Sequence, residues 1–142
     1  MDNQAVSQEL TIRRFTTKDT ELVFEFFKTA SEETRYFMDA HPYDWETAVK
    51  FTSDEEICRT DLHRYAATIQ GDNGEVMVGY LFFWEWTKKI PWLGIAVRDG
   101  YKGMGLGRKI MDFATQEAQR YGKGGILLTT KKENLRAQAL YK

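Results

Sequence analysis

The stretch VRDGYKGMGLGR, residues 97–108, places four glycines where an apolar strand gives way to an amphipathic helix. Glycine has no Cβ, so its main chain can approach a ligand closely. The unpaired N–H groups at a helix N-terminus attract anions. Lys102 and Arg108 add positive charge at the mouth of this loop. The stretch therefore predicts a strand, an anion-binding loop and a helix, in that order.

Two familiar phosphate loops do not fit this stretch. A P-loop needs a hydroxyl residue after Gly-Lys, whereas Gly107 is followed by Arg108 and Lys109. A dinucleotide fingerprint has the spacing Gly-x-Gly-x-x-Gly, whereas residues 103–107 read Gly-x-Gly-x-Gly. The sequence therefore disfavours nucleoside triphosphate hydrolysis and nicotinamide binding. A glycine-rich turn that holds no ligand is the alternative interpretation.

Apolar periodicity and turn residues predict the remaining elements. Upstream of the loop we first expect a strand at Leu10 to Phe15, a helix carrying Leu22, Val23, Phe26 and Phe27, a connecting loop and a helix at Asp44 to Phe51. We then expect a hairpin, with a strand at Tyr65 to Gln70, a turn at Gly71 to Gly74 and a strand at Val76 to Trp86. A further strand is expected at Pro91 to Val97. Downstream we expect a helix at Gly105 to Tyr121, a strand at Gly125 to Thr130 and a helix at Asn134 to Lys142.

Two details of this assignment are specific enough to test. Thr17 or Asp19 is expected to cap the first helix. Trp45 and Val49, with Ala48 beside them, are expected to form the buried side of the second helix.

Composition limits the class of protein. The chain has 142 residues, of which 42% are hydrophobic and 29% charged, which suits one globular domain. Cys58 is the only cysteine and there are two histidines, so we expect neither a disulfide nor a metal site. No long apolar run or nucleic-acid module is present, and residues 1–10 are polar. We therefore expect a cytoplasmic protein that binds no membrane and no nucleic acid.

Charge is distributed unevenly along the chain. Residues 1–87 contain 8 Lys/Arg and 17 Asp/Glu, whereas residues 88–142 contain 12 and 4, giving −9 and +8. The basic part suits an anionic ligand and the acidic part suits a cationic one. Uneven solvated surfaces would give the same count.

Two motifs in the second half resemble a known family. Residues 102–107, KGMGLG, resemble the pyrophosphate motif Arg/Gln-x-x-Gly-x-Gly/Ala of the GNAT superfamily of acyl-CoA-dependent N-acetyltransferases, with Lys102 in place of Arg or Gln. Residues 134–141, NLRAQALY, are similar to the Asn-x-x-Ala-x-x-Leu-Tyr helix of that family. Two matches in the right order make this a specific resemblance.

The resemblance implies an α/β (α+β) fold: a mixed, mostly antiparallel central sheet flanked by helices, forming one N-acetyltransferase domain over residues 1–142. A V-shaped splay would separate the fourth strand, Pro91 to Val97, from the fifth, Gly125 to Thr130. Such proteins continue beyond the last helix with further strands, whereas this sequence stops at Lys142. We therefore predict that the sequence is a segment of a longer chain, or that a second copy completes the sheet in a homodimer.

The resemblance also implies the ligand and its site, with acetyl-CoA as the co-substrate. The implied binding residues lie on the fourth strand, in the loop and in the last helix: Ile95, Ala96, Val97, Lys102, Gly103, Met104, Gly105, Leu106, Gly107, Arg108 and Asn134. Tyr141 matches the family tyrosine that protonates the departing CoA thiolate. A helix cap for Asn134 and a core-edge ring for Tyr141 are the plainer interpretations.

The acceptor is expected to be a small-molecule or peptide amine that attacks the thioester directly in a ternary complex. Glu85 is the candidate catalytic base and His41 a second one, although a solvated carboxylate at a strand end is the plainer interpretation of Glu85. Five aromatic residues could line the acceptor cleft or simply be core: Trp84, Trp86, Trp92, Phe37 and Tyr43. Two non-catalytic alternatives stay open, an acyl-CoA-binding regulatory module and an interaction domain with a fortuitous glycine loop.

Overall fold

The computed structural model of the chain describes residues 9–37, 41–101 and 105–128. Its strands are β1 (Thr11–Arg14), β2 (Leu62–Gly71), β3 (Gly74–Trp84) and β4 (Trp92–Val97). Its helices are α1 (Thr20–Lys28), α2 (Glu32–Phe37), α3 (Trp45–Phe51), α4 (Asp54–Ile57) and α5 (Leu106–Arg120).

The sheet is antiparallel in the order β1-β2-β3-β4. Leu127 then forms a parallel bridge with Trp92 at the start of β4. The N–H of Leu127 donates to the carbonyl of Pro91 at 2.8 Å, and the N–H of Leu93 donates to the carbonyl of Leu127 at 2.9 Å. The sheet is therefore mixed and mostly antiparallel, and the predicted fold class is confirmed.

Each face of the sheet carries its own core. One face packs on α1 and α3 through Val23, Phe26, Phe27, Ala48 and Phe51. The other face packs on α5 through three residues at a four-residue spacing: Ile110, Ala114 and Ala118. The sheet is thus the middle layer of three, and β4 contributes residues to both cores.

The predicted hairpin is confirmed, with Gly71 paired to Gly74 across the turn. Between Ala67 and Thr68 the register shifts, so that β3 carries an extra residue, Val78. The strand predicted to run to Trp86 ends instead at Trp84. Glu85 has φ of +56°, a left-handed conformation that takes the chain out of the sheet.

The acidic half contains more helix than the sequence predicts. The expected loop before Asp44 includes α2, and the segment after α3 forms α4. These helices have 6 and 4 residues, too few for apolar periodicity to reveal them.

Two predictions about helix details are wrong. Trp45 and Val49 are each 45% exposed, because α3 turns Ala48 and Phe51 toward the core instead. Asp19 precedes α1 but makes no side-chain cap. Its carboxylate instead accepts two hydrogen bonds from the Arg13 guanidinium, at 2.8 and 3.0 Å, and one from the N–H of Thr16 at 2.7 Å.

Part of the predicted C-terminal structure lies outside the described residues. Within residues 125–128 only Leu127 is bridged to β4, and residues 129–130 of the predicted strand are not described. The predicted helix from Asn134 to Lys142 also lies outside the described part of the chain.

Candidate active site

The outer edge of β4 presents main-chain hydrogen-bonding groups. Opposite residues in an antiparallel pair alternate between bonding each other and pointing away. The N–H of Arg98 donates to the carbonyl of Val78 at 2.8 Å, so Ala96, two residues earlier, also bonds toward β3. Ile95 and Val97 therefore direct their N–H and C=O groups away from β3, as Leu93 does toward Leu127.

The chain leaves this edge through the glycine loop. A turn closes where the N–H of Tyr101 donates to the carbonyl of Arg98 at 3.0 Å, with Gly100 at φ of +91°. Gly105, at φ of +82°, precedes α5. Helix geometry leaves the N–H groups of Leu106, Gly107 and Arg108 without intrahelical partners.

The edge of β4 presents main-chain donors and acceptors and the start of α5 presents main-chain donors, and these two sets of groups are called the strip here. An extended ligand with an amide-bearing arm and an anionic group matches this strip, because the arm can bond β4 as a strand does while the anion meets the helix N-terminus. Three predicted loop residues, Lys102, Gly103 and Met104, lie outside the described residues, as do Asn134 and Tyr141.

The sheet face toward α1 and α3 has a regular pattern beside this edge. Successive cross-strand rows contain Leu62, Trp84 and Trp92, then Arg64, Phe82 and Gly94, then Ala66, Tyr80 and Ala96. A Cβ on Gly94 would lie 2.4 Å from the Phe82 ring, so glycine lets this ring lie across β4. The small residues Gly94 and Ala96 of β4 thus lie beside the aromatic residues Phe82 and Tyr80 of β3.

Aromatic stacking runs along this face. Ring centroids are 5.2 Å apart for Tyr80 and Phe82, 5.3 Å for Phe82 and Trp84, and 5.9 Å for Trp84 and Trp92. Tyr80 is buried, whereas Trp84 and Trp92 are partly exposed. Trp86, by contrast, is buried against α5 on the other face. The structure thus separates the predicted aromatic cleft residues onto two faces.

His41 lies on the α1 side of the sheet and bonds Tyr80. Its Nδ1 lies 2.7 Å from the carbonyl of Pro42, and its Nε2 lies 3.2 Å from the hydroxyl of Tyr80. A carbonyl only accepts, so Nδ1 carries the proton and Nε2 accepts from Tyr80. Burial lowers the pKa of His41, and the nearby charge of Arg64 lowers it further. His41 is therefore neutral at pH 7, with both nitrogens engaged.

A buried ion pair lies on the same face. The Arg64 guanidinium donates to Glu56 at 3.0 Å and lies 3.6 Å from the centre of the Phe51 ring. Both side chains of the pair are 9% exposed. Burial raises the pKa of Glu56, but the hydrogen bond and charge of Arg64, with those of Arg59, outweigh burial and keep this pKa below its ordinary value.

Glu85, the predicted base, lies away from the glycine loop. It follows Trp84, which pairs with Trp92 at the start of β4, whereas the loop follows Val97 at its end. Six residues of strand span about 20 Å. The Glu85 side chain is 42% exposed and forms an ion pair with Lys88 at 3.7 Å. The structure does not bring Glu85 close to the loop end of β4, and its role as base stays a prediction.

Asp99, in the glycine loop, makes two long-range hydrogen bonds that the sequence does not predict. Its carboxylate bonds Ser31 and Thr34, beside α2. These partners are 68 and 65 positions away, and no local pattern in the sequence links them.

The described residues contain neither a membrane-spanning helix nor a cluster of metal-binding side chains. No helix in residues 9–37, 41–101 and 105–128 is both long and apolar enough to cross a bilayer. Within the same ranges, no group of three or more His, Cys, Asp or Glu residues is placed to hold a metal ion.

Comparisons with solved structures show the fold. The GNAT domain of S. lividans PAT matches with a TM-score of 0.75 at 18% identity, over 92% of this chain and 77% of that one. A spermidine N-acetyltransferase from Vibrio cholerae, in complex with CoA and spermine, matches with a TM-score of 0.75 at 16% identity, over 93% and 77%. An aminoglycoside acetyltransferase in complex with coenzyme A matches with a TM-score of 0.73 at 16% identity, over 94% and 81%.

A sequence search among curated proteins finds no match. The model of the acetyltransferase (GNAT) family matches residues 26–142, which include the strip along β4, the glycine loop and α5. The chain therefore belongs to the acetyltransferase (GNAT) family: it is an N-acetyltransferase with acetyl-CoA as its co-substrate.

Proposed function

We propose that the protein transfers the acetyl group of acetyl-CoA to a primary amine by direct attack in a ternary complex, within one domain. The observation that carries this proposal is the outer edge of β4, where Ile95 and Val97 direct main-chain groups away from β3 just before the glycine loop. The pantetheine arm would bond this edge, and the pyrophosphate would bond the amides of the loop and of α5. The N–H groups at residues 103–108 supply most of these contacts.

The reaction needs no covalent enzyme intermediate. The amine nitrogen forms a bond to the thioester carbon, the carbon–sulfur bond breaks, and CoA leaves as a thiolate that takes a proton from Tyr141. An amine with a pKa of about 10.4 costs roughly 4.6 kcal/mol to deprotonate at pH 7, so a proton acceptor assists. Glu85 is the proposed acceptor of that proton, through water, since its side chain is exposed.

The acceptor is proposed to be a small molecule or peptide that carries a cationic amine. The acidic charge of residues 1–87 supports this proposal, because it attracts cations toward that half of the chain. Two similar structures are a spermidine N-acetyltransferase and an aminoglycoside acetyltransferase, and both names refer to amine substrates. Asn134 would bond the pantetheine arm, and the protein would act as a homodimer.

A thiol-release assay tests the proposal. Purified protein is mixed with acetyl-CoA and a panel of polyamines, aminoglycosides, amino acids and peptides, and free CoA thiol is followed. We expect release that depends on at least one amine, with Tyr141→Phe slowing it by about 100-fold, as expected for loss of a general acid. CoA binding without amine-dependent release, or full activity in Tyr141→Phe, would contradict the proposed transfer mechanism.

A further inference from the structure

The loop that leaves β4 is tied to the start of α2. Oδ2 of Asp99 accepts from the main-chain N–H of Ser31 at 2.6 Å, and Oδ1 accepts from the hydroxyl of Thr34 at 2.9 Å. Ser31 precedes α2, and its own hydroxyl accepts from the N–H of Thr34 at 3.1 Å. The carboxylate of Asp99 therefore helps to hold the first turn of a helix that belongs to the acidic half of the chain.

The presence of an acid in this loop calls for an explanation. A carboxylate close to bound pyrophosphate repels it, so Asp99 weakens anion binding unless it does something else. Both of its oxygens are directed at Ser31 and Thr34. Thr34 is 5% exposed, so the Thr34 end of this contact is buried, whereas Asp99 itself is half-buried and Ser31 is exposed. The geometry favours a mechanical role, in which the loop is held in one position against α2.

From α2 the contacts continue toward the inner face of β4. The guanidinium of Arg35 donates to the carbonyl of Phe27 at 3.3 Å and lies 5.4 Å from the centre of the Tyr43 ring. Tyr43 stacks on His41 at 4.8 Å, and His41 bonds Tyr80. Tyr80 pairs with Ala96 of β4. Helix α2 thus lies between the glycine loop and the side chains that cover β4.

We propose that Asp99 is a positioning residue that fixes the glycine loop in its pyrophosphate-binding geometry by anchoring it to α2. Through this anchor, acetyl-CoA bound in the loop also steadies the first turn of α2. The inference rests on the proposed function, since it requires the loop to bind the pyrophosphate of CoA.

Titration calorimetry of the full chain with CoA tests this role without knowledge of the acceptor. Asp99→Ala is expected to bind CoA about tenfold more weakly, which corresponds to about 1.4 kcal/mol. Asp99→Asn keeps one acceptor oxygen, and Thr34→Val keeps the side-chain volume but removes the hydroxyl donor. Each of these variants is expected to bind CoA about threefold more weakly. The double variant Asp99→Ala/Thr34→Val should bind like Asp99→Ala alone, because the two residues act through one contact.

The control is Asp72→Asn, which makes the same charge change in the exposed hairpin turn and should bind CoA like the wild type. If Asp99 only stabilises the fold, its variants melt at a lower temperature but bind CoA with unchanged affinity when folded. If Asp99 acts only by repulsion, its variants bind CoA more tightly. Either outcome overturns the inference, whereas a wild-type chain that binds no CoA overturns the proposed function itself. Should Asp99→Ala fail to fold, Asp99→Asn and Thr34→Val decide.

Discussion

The two faces of the sheet are covered in different ways. The face toward α5 is packed by a single helix of 15 residues whose apolar side chains recur at regular spacing. The face toward α1 and α3 is covered by short helices and connecting segments. It also contains the Arg64–Glu56 ion pair and the His41–Tyr80 hydrogen bond. Buried polar groups cost free energy unless they are paired. The α5 face also holds a buried hydrogen bond, from the Tyr65 hydroxyl to Glu117 at 2.7 Å, whereas the buried ion pair lies on the α1 and α3 face.

This difference indicates which face is suited to recognising an acceptor. The α5 face serves mainly to fasten the helix that follows the glycine loop. The opposite face places neutral, hydrogen-bonded and charged groups beside the small residues Gly94 and Ala96 of β4. Three variants test the contacts of the α1 and α3 face, and His63→Gln tests the α5 side.

The largest expected effect is that of Glu56→Gln. This change leaves the buried guanidinium of Arg64 without its carboxylate, which costs about 3–5 kcal/mol of unfolding free energy. Urea titration monitored by tryptophan fluorescence measures the change. The control is Glu55→Gln on the same helix, whose exposed side chain should alter stability by less than about 0.5 kcal/mol. Equal effects of the two variants would mean that the Arg64 pair is not buried as described.

Gly94→Ala should have the next largest effect. Its new methyl group would approach the Phe82 ring within 2.4 Å, and overpacking of this kind costs about 1–3 kcal/mol. Thermal unfolding measures the loss. Gly94→Ala/Phe82→Leu should be less destabilised than the sum of its two single changes, because leucine does not reach as far across β4. Strict additivity would argue against the Phe82–Gly94 contact.

Asp44→Ala should have a smaller effect, confined to α3. The Asp44 side chain accepts from the N–H of Thr47 at 2.8 Å, and alanine leaves this N–H at the start of α3 without its cap, which lowers the midpoint of unfolding. Asp44→Ser, which can still cap, serves as the matched control in the same unfolding experiment. A loss as large for serine as for alanine would show that the cap contributes nothing.

Both faces should make the stability of the protein depend on pH in the same direction, because each face holds one histidine. Burial lowers the pKa of His63 on the α5 side to about 4, with the charge of Arg14 as the next cause, and burial also lowers that of His41. Both are neutral in the folded protein, whereas an unfolded histidine takes up a proton below about pH 6.5. The unfolded state then binds more protons, so stability falls as pH falls from about 6.5 toward 4.

Urea titrations at pH 7, 6 and 5 check this slope, since depressed carboxyl pKa values matter only at lower pH. His63→Gln should flatten the slope over this range, because glutamine does not titrate. An unchanged slope in His63→Gln would contradict the low pKa of this histidine.

The sequence is most informative where structure is local. The order of strands, the GDNG hairpin and α5 are all predicted, because they depend on short-range periodicity and on glycine. Residues 106–108 lie at the start of α5, and Ile95 and Val97 direct main-chain groups away from β3, while their part in binding CoA stays a prediction. That part of the site is formed by main-chain groups, whose direction follows from secondary structure alone.

The sequence is least informative where contacts join distant segments. The pair Asp99–Thr34 spans 65 positions and the pair Tyr80–His41 spans 39, and neither has a local signature. Trp45 and Val49 are apolar but exposed, because the packing of α3 is decided by its neighbours rather than by its own pattern. The sequence predicts that Glu85 belongs to a strand, but its left-handed backbone conformation places it outside the sheet.

Amide hydrogen exchange is the most direct test of whether CoA binds along the outer edge of β4, the edge that faces away from β3. It is measured by NMR on the wild-type chain, with and without CoA. The account predicts that CoA slows exchange at Ile95, Val97 and the first amides of α5. Gly94 and Ala96, which already bond β3, should change little. If CoA binds while the amides of Ile95 and Val97 exchange at unchanged rates, the central claim is contradicted.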